Sequence, residues 1–444
     1  QLVSEVLLAD AHPQKGVIKM RKILKKTKKF LKKFGPGVIT GASDDDPSGI
    51  VTYSQTGAMF GLHLLWLSPI SCIFAIAVQE MCGRIGMVSG KGLTGIMKQS
   101  YPKWVSYPAI SLLFIANTIN IGADLGAMAA VAQMVLGLPF IFWILIMTAL
   151  TLVLEIFMDY KNYSKFLMLL TLSLFAYFFT AFTVRQDWGA VLQHTLIPTF
   201  YPSREFTLNV VAFLGTTISP YLFFWQADEE VEKEIVEHKI KGIGIGKPRI
   251  FVKDIQDMKI DTIVGMFFTT VTAFMIVLTT AGTLHLSGIT TINSASEAAQ
   301  ALRPLVGDFA YWLFALGIIG TGLLGVPVLA GSSSYAISEF FGWETGLGKK
   351  LKEAHGFYGV ITIATLIGLT INFVGIDPMR ALYYSAAING LMAPPLMLLI
   401  LFIGNNKKVM GSHTNRRLGN VVGGIATLVM FGIGVVFLKD LFGF

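Results

Sequence analysis

The chain has 444 residues, 53% hydrophobic and only 14% charged, with a formal net charge of +8 and a mean hydropathy of +0.64. A water-soluble chain carries roughly 25% charged residues, so most of this one cannot face water, and a soluble or secreted globular protein is excluded. The cations lie between apolar runs, which makes them a topology signal, and no nucleic-acid partner is expected.

Residues 1–34 form a basic tail that includes Lys25, Lys26, Lys28 and Lys29. Eleven apolar spans follow, at about 35–59, 62–88, 104–133, 137–157, 163–184, 207–227, 260–285, 309–338, 356–376, 379–403 and 418–438. One membrane domain over 35–438 is expected, with halves at about 35–184 and 207–403 and a last helix at 418–438. The charged stretch 228–259 reads as a loop between spans. Cys72 and Cys82 lie about 15 Å apart along one helix, too far to pair. Of the 35 Lys and Arg residues, 30 fall on the tail and the even-numbered connections. Arg185, Arg204, Arg303, Arg380 and Lys439 are the exceptions. This bias puts the N-terminus in the cytoplasm, and an odd number of spans puts the C-terminus outside.

The first span carries Asp44, Asp45, Asp46 and Pro47 in the middle of an apolar run, between Gly41 and Gly49. Proline deletes a helix hydrogen bond and clashes with the preceding turn. The backbone is therefore expected to unwind near Asp45–Gly49, which at membrane depth is tolerated only where it is buried or lines a cavity. Carboxylates at that depth are costly and point to function. The sixth span breaks in the same way at Ser219-Pro220. Two broken helices five spans apart are the pattern of two five-helix halves in inverted orientation, with a binding site where the breaks meet.

The ligands at the breaks are Asp45, Asp46, Thr216, Thr217, Ser219 and backbone carbonyls, with no His, Cys or Met in either unwound stretch. Such hard oxygen donors suit Mg²⁺, Ca²⁺ or Mn²⁺. In the third span Asp124 reads as an ion or proton relay, and Asn117 and Asn120 could line the same path. Glu80 is placed to pair with Arg84 at i+4.

Gly-Pro-Gly at 35–37, then eight residues, then Asp46-Pro47-Ser48-Gly49, resembles the first helix of the NRAMP divalent-metal transporters. The resemblance continues at Arg84–Leu93 and Asn406–Gly411. It implies an all-α, LeuT-type inverted-repeat membrane protein of about eleven helices with spans one and six broken. The family aspartate falls on Asp46 and its asparagine on Gly49. Its metal-binding methionine falls on Ser219, and two histidines fall on Tyr221 and Gln226. In the third span Asp124 is kept, but the family glutamate falls on Ala127. A polar glutamine of the tenth helix falls on Ala386.

These losses resemble the divergent NRAMP-related magnesium transporters. The resemblance implies a carrier of Mg²⁺ and Mn²⁺ through an all-oxygen, partly hydrated site built on Asp46, Asp45, Gly49, Thr216, Thr217 and Ser219. Asp124, Asn120, Tyr221 and Gln226 become the candidate ion pathway, and proton coupling is expected to be weak or absent. A monomer in a bacterial plasma membrane, without cofactor or enzymatic activity, is the corresponding expectation. The alternatives within the family are proton-coupled Mn²⁺/Fe²⁺ or Al³⁺ transport. A sodium-coupled organic-solute carrier on the same fold is disfavoured, because three aspartates repel a substrate carboxylate. An intramembrane enzyme would need a nucleophile–base pair or a chelating motif, and none of the seven histidines has a partner at ligand spacing.

Overall fold

The computed structural model describes residues 35–158, 171–201, 203–246 and 248–442. The basic tail 1–34 and the start of the fifth expected span lie outside the described residues. In chain order the principal helices are α1 (Pro36–Asp44), α2 (Pro47–Phe60), α3 (Leu67–Ser89), α4 (Leu93–Ser100), α5 (Lys103–Leu136), α6 (Phe140–Phe157), α7 (Phe175–Thr183) and α8 (Trp188–Leu196). They continue with α9 (Arg204–Thr217), α10 (Pro220–Val236), α11 (Val252–Thr280), α12 (Ala310–Phe341), α13 (His355–Ile371), α14 (Pro378–Asn405) and α15 (Arg417–Phe442). Among the described residues, eight helical segments are long and apolar enough to cross a bilayer, with α9 and α10 counted as one. The pair α1–α2 and the shorter apolar helices at Leu172–Thr183 and His355–Ile371 stand at the other expected spans.

Both breaks fall where proline demanded them. α1 stops at Asp44, and Pro47 opens α2, while α9 stops at Thr217 and Pro220 opens α10. Proline at the first helical position lacks only an N–H that would be orphaned there anyway.

The packing follows the inverted repeat. The first span, α1–α2, lies along α11, the seventh; the sixth, α9–α10, lies along α3, the second; and α5 packs on α12. The α1–α11 contact is backbone on backbone. A Cβ at Gly37 would meet the backbone of Asp261 and Thr262, and one at Gly41 would meet the backbone of Gly265. Asp261 fastens the start of α1 by accepting the N–H groups of Gly35 and Gly37, each at 2.8 Å.

The loop expected at 228–259 is shorter than its charge suggested. α10 continues to Val236 and α11 begins at Val252. Asp228, Glu229, Glu230 and Glu234 are buried against neighbouring helices rather than solvated. Arg84 does pair with Glu80, at 3.1 Å, and also donates to the His413 carbonyl and to Asn415 Oδ1, tying α3 to the approach to α15. Cys72 and Cys82 are unpaired.

Candidate metal-ion site

Asp46 is the N-cap of α2, and its side chain is the centre of the site. Oδ1 accepts the Ser48 hydroxyl at 2.6 Å and the Gly49 N–H at 2.8 Å, both from its own helix. Oδ2 faces the neighbours: Asn120 Nδ2 of α5 at 3.1 Å and the Tyr221 hydroxyl of α10 at 3.4 Å. Donors on every side are what a carboxylate, an acceptor-only group, requires. Asp46 is 1% exposed, and a Cβ at Gly325 of α12 would come 3.0 Å from its own Cβ.

The sixth span closes the other side. Ser48 Oγ lies 3.3 Å from Thr216 Oγ1, and since the Ser48 proton goes to Asp46, Thr216 is the donor. Tyr53 OH lies 3.0 Å from Thr217 Oγ1, whose own proton goes to the Phe213 carbonyl at 2.8 Å. Ser219 Oγ donates back to the carbonyls of Thr216 at 2.7 Å and Gly215 at 3.1 Å, so it caps the end of α9. Tyr221 OH also lies 3.3 Å from the Ser43 carbonyl, one of the carbonyls at the end of α1. The two breaks thus meet.

Asp45 points away from Asp46. Its Oδ1 accepts the Thr269 hydroxyl of α11 at 2.7 Å, and the same hydroxyl lies 3.2 Å from Asp44 Oδ2. Asp45 borders a cavity of about 330 Å³ between α1, α7 and α11. Gln226 is also remote from Asp46; its Nε2 donates to Glu230 at 3.2 Å. Asp124 is fully buried, with the Ser48 backbone and Asp46 as its polar neighbours. Asn117 bonds the Leu329 carbonyl, Ser332 and Ser333 of α12, so it holds α5 to α12 rather than reaching Asp46. Gly49 offers its N–H, but little room: a Cβ there would lie 3.2 Å from the Asp44 carbonyl and 3.4 Å from Thr216 Oγ1.

Residues missed by sequence reasoning complete the arrangement. Ser48 and Tyr53 lie in the first two turns of α2, beside the break, and were hidden by the stronger signal of the aspartates. Ser385 of α14 donates to Asn120 Oδ1 at 2.6 Å, so the tenth span contributes Ser385 and not Ala386, whose carbonyl faces Gly215. Among the described residues no three His, Cys, Asp or Glu side chains are gathered to hold a metal ion. The histidines do meet at the far end of α2, where the rings of His63 and His194 stand 4.4 Å apart, a pairing their spacing in the chain conceals.

A bundle of membrane-length helices, with two spans broken at facing prolines around a buried aspartate, defines a polytopic membrane transporter of inverted-repeat architecture. The family model for natural resistance-associated macrophage protein-like (Nramp) proteins matches residues 37–440. The chain belongs to the NRAMP family. Among its relatives, the divalent metal cation transporter MntH of Caldanaerobacter subterraneus is 27% identical over 429 residues, covering 94% of this chain and 95% of that protein. MntH of Clostridium acetobutylicum is 24% identical, covering 94% and 92%. The fold is similar to that of a manganese transporter from Eremococcus coleocola, with a TM-score of 0.70, 15% identity and coverage of 93% and 87%. It is also similar to Mhp1, a nucleobase-cation-symport-1 family transporter, with a TM-score of 0.55, 14% identity and 92% of each chain covered.

Proposed function

We propose that this protein carries divalent metal ions across a bacterial plasma membrane, taking Mg²⁺ and Mn²⁺ as cargo at Asp46. The observation that carries the reading is the division of labour within that carboxylate. Oδ1 is held by short bonds inside α2, whereas Oδ2 is held by longer contacts from α5 and α10. Oδ2 is therefore the atom that an ion can claim, by displacing the long Tyr221 contact while Asn120 keeps the carboxylate in place. Thr216 beside Ser48 and the Ser43 carbonyl beside Tyr221 are the nearest further oxygen groups, and Gly49, Thr217 and Ser219 complete the proposed set. Mg²⁺ uses one or two carboxylates and keeps several waters, and Mn²⁺ also suits oxygen ligands. Asp45 acts from the neighbouring α11 contact rather than on the ion itself.

Proton coupling is weak or absent in this reading, because Ala127, Tyr221 and Gln226 stand where the family has a glutamate and two histidines. A proton-coupled Mn²⁺ carrier is the second reading, favoured by Asp124, a fully buried acid beside Asp46. The chain acts as a monomer, with its N-terminus in the cytoplasm and Phe444 outside. Purified protein in liposomes tests the reading: Mn²⁺ uptake should be inhibited by Mg²⁺, with little acidification of the lumen. Acidification in proportion to metal flux would favour the second reading. Labelling of a cysteine introduced at Gly242 by an impermeant reagent in intact cells would overturn the topology.

A further inference from the structure

The acidic lower part of α10 plays no part in the site at Asp46. Tyr221, Trp225, Asp228 and Glu232 recur at helical spacing and form one stripe of α10. Tyr221 touches Asp46, and Asp228 follows seven residues later, about 10 Å further along the axis. Between them Trp225 is fully buried, its ring packed on Gly331 of α12 and edge-on to Tyr335 at 6.3 Å. Trp225 therefore separates Asp46 from what lies below.

Below it two carboxylates converge. A Cβ on Gly92 would overlap both Asp228 Oδ1 and Glu339 Oε2. Each oxygen of Glu339 of α12 accepts one backbone N–H, Oε1 from Gly92 at 2.8 Å and Oε2 from Gly95 at 2.9 Å, which leaves a free lone pair on each. Asp228 is 1% exposed, and its Oδ1 meets no hydrogen-bond donor among the described residues. Glu229 and Glu232 add negative charge, and Lys91 stands near Glu339. A buried charge is strongly unfavourable unless it is paired, and the charges that act most strongly on Asp228 are all carboxylates. A cavity of about 900 Å³ adjoins Glu339, bordered also by Glu232, Gly95, Lys91 and Lys98. At about 30 Å³ of liquid volume per water, it has room to keep a hydrated ion supplied with water.

We propose that Asp228 and Glu339 form a second divalent-cation site on the cytoplasmic side of Trp225, which receives the ion leaving Asp46 before it enters the cavity. The site rests on the divalent cargo proposed above and adds a stopping place to its route. Two carboxylates completed by water are an ordinary donor set for Mg²⁺ and for Mn²⁺. Lys91 and Lys98 at the cavity border weaken the hold on the ion and favour release.

Mn²⁺ binding to the purified full chain, counted from the loss of the free-ion paramagnetic resonance signal, tests this. Wild-type protein should bind two Mn²⁺ per chain, Asp46→Ala one, Asp228→Asn one, and the double variant none. Asp228→Asn keeps the side-chain volume and leaves the Glu339 contacts to Gly92 and Gly95 intact. Glu339→Gln, checked for monodispersity, should give the same loss. A single Mn²⁺ that disappears in Asp46→Ala overturns the second site and leaves the cargo reading standing. Two Mn²⁺ that persist in both Asp228→Asn and Glu339→Gln also overturn it. No Mn²⁺ in wild-type protein overturns both readings.

Discussion

Asn120 donates to Asp46 Oδ2 at 3.1 Å while its own carbonyl takes the Ser385 hydroxyl at 2.6 Å. The amide is thereby oriented with nitrogen toward the carboxylate, and α14 controls that orientation from behind. A hydrogen bond to a charged group contributes about 1.5–3 kcal/mol. Asn120→Ala should therefore weaken the arrangement of Asp46 and lower Mn²⁺ uptake in liposomes by about tenfold or more. Ser385→Ala, which frees the amide to turn, should lower it less. Unchanged uptake in Asn120→Ala would show that the contact does not serve transport.

Selectivity follows from the donor set. Ser219→Met introduces a thioether, which favours softer ions such as Cd²⁺. The ratio of Cd²⁺ to Mg²⁺ uptake should rise in that variant. Gly49→Asn restores the family residue, but its Cβ meets the Asp44 carbonyl, Tyr53 and Thr216 at 3.2–3.4 Å. Alone it should lower every flux; combined with Ser219→Met it should raise the Cd²⁺ preference further. Equal loss of all fluxes in both variants would mean that the substitutions only obstruct the path.

The breaks were legible in the sequence because proline acts locally, and because three acids in the middle of an apolar run are too costly to be there without a role. Asp46 and Asn120 were legible too, one by motif and the other as an uncompensated polar residue in the third span. The directions of adjacent side chains were not legible. Asp45 and Asp46 are neighbours in the chain, yet one turns to Thr269 and the other to Asn120, which only the packing of α11 and α5 decides. The acids of α10 read as a solvated loop because burial of charge is exceptional, and the residues that surround them, Gly92 and Glu339, are far away in sequence.

The α1–α11 contact should be intolerant of any side chain. Gly41→Ala places a methyl group against the Gly265 backbone, which cannot rotate out of the way. Overpacking of this kind costs about 1–3 kcal/mol, so the thermal midpoint in detergent should fall by several degrees. Gly359→Ala, where a Cβ meets nothing within 4 Å, is the control and should not lower it. Equal midpoints would refute the close approach.

The histidine pair at the end of α2 should make that rim sensitive to acid. Burial first, then His194 and His285, hold the His63 imidazole below its ordinary value. A depressed value means the neutral ring is favoured by the fold. Its contribution to stability is complete above the unfolded value of about 6.5 and is lost as the pH falls below it. The thermal midpoint should therefore decline as the pH is lowered from about 7 to 5.5, and His63→Gln should flatten that decline. An identical slope in the variant would show that His63 is not the group responsible.

If a divalent metal ion is carried at Asp46, a folded Asp46→Ala variant loses transport. Mn²⁺ uptake into liposomes, measured with and without excess Mg²⁺, should be saturable and Mg²⁺-sensitive in wild-type protein. It should be at background in Asp46→Ala protein that elutes and melts like wild type. Undiminished uptake in Asp46→Ala, or wild-type protein that carries neither Mn²⁺ nor Mg²⁺, would contradict the account.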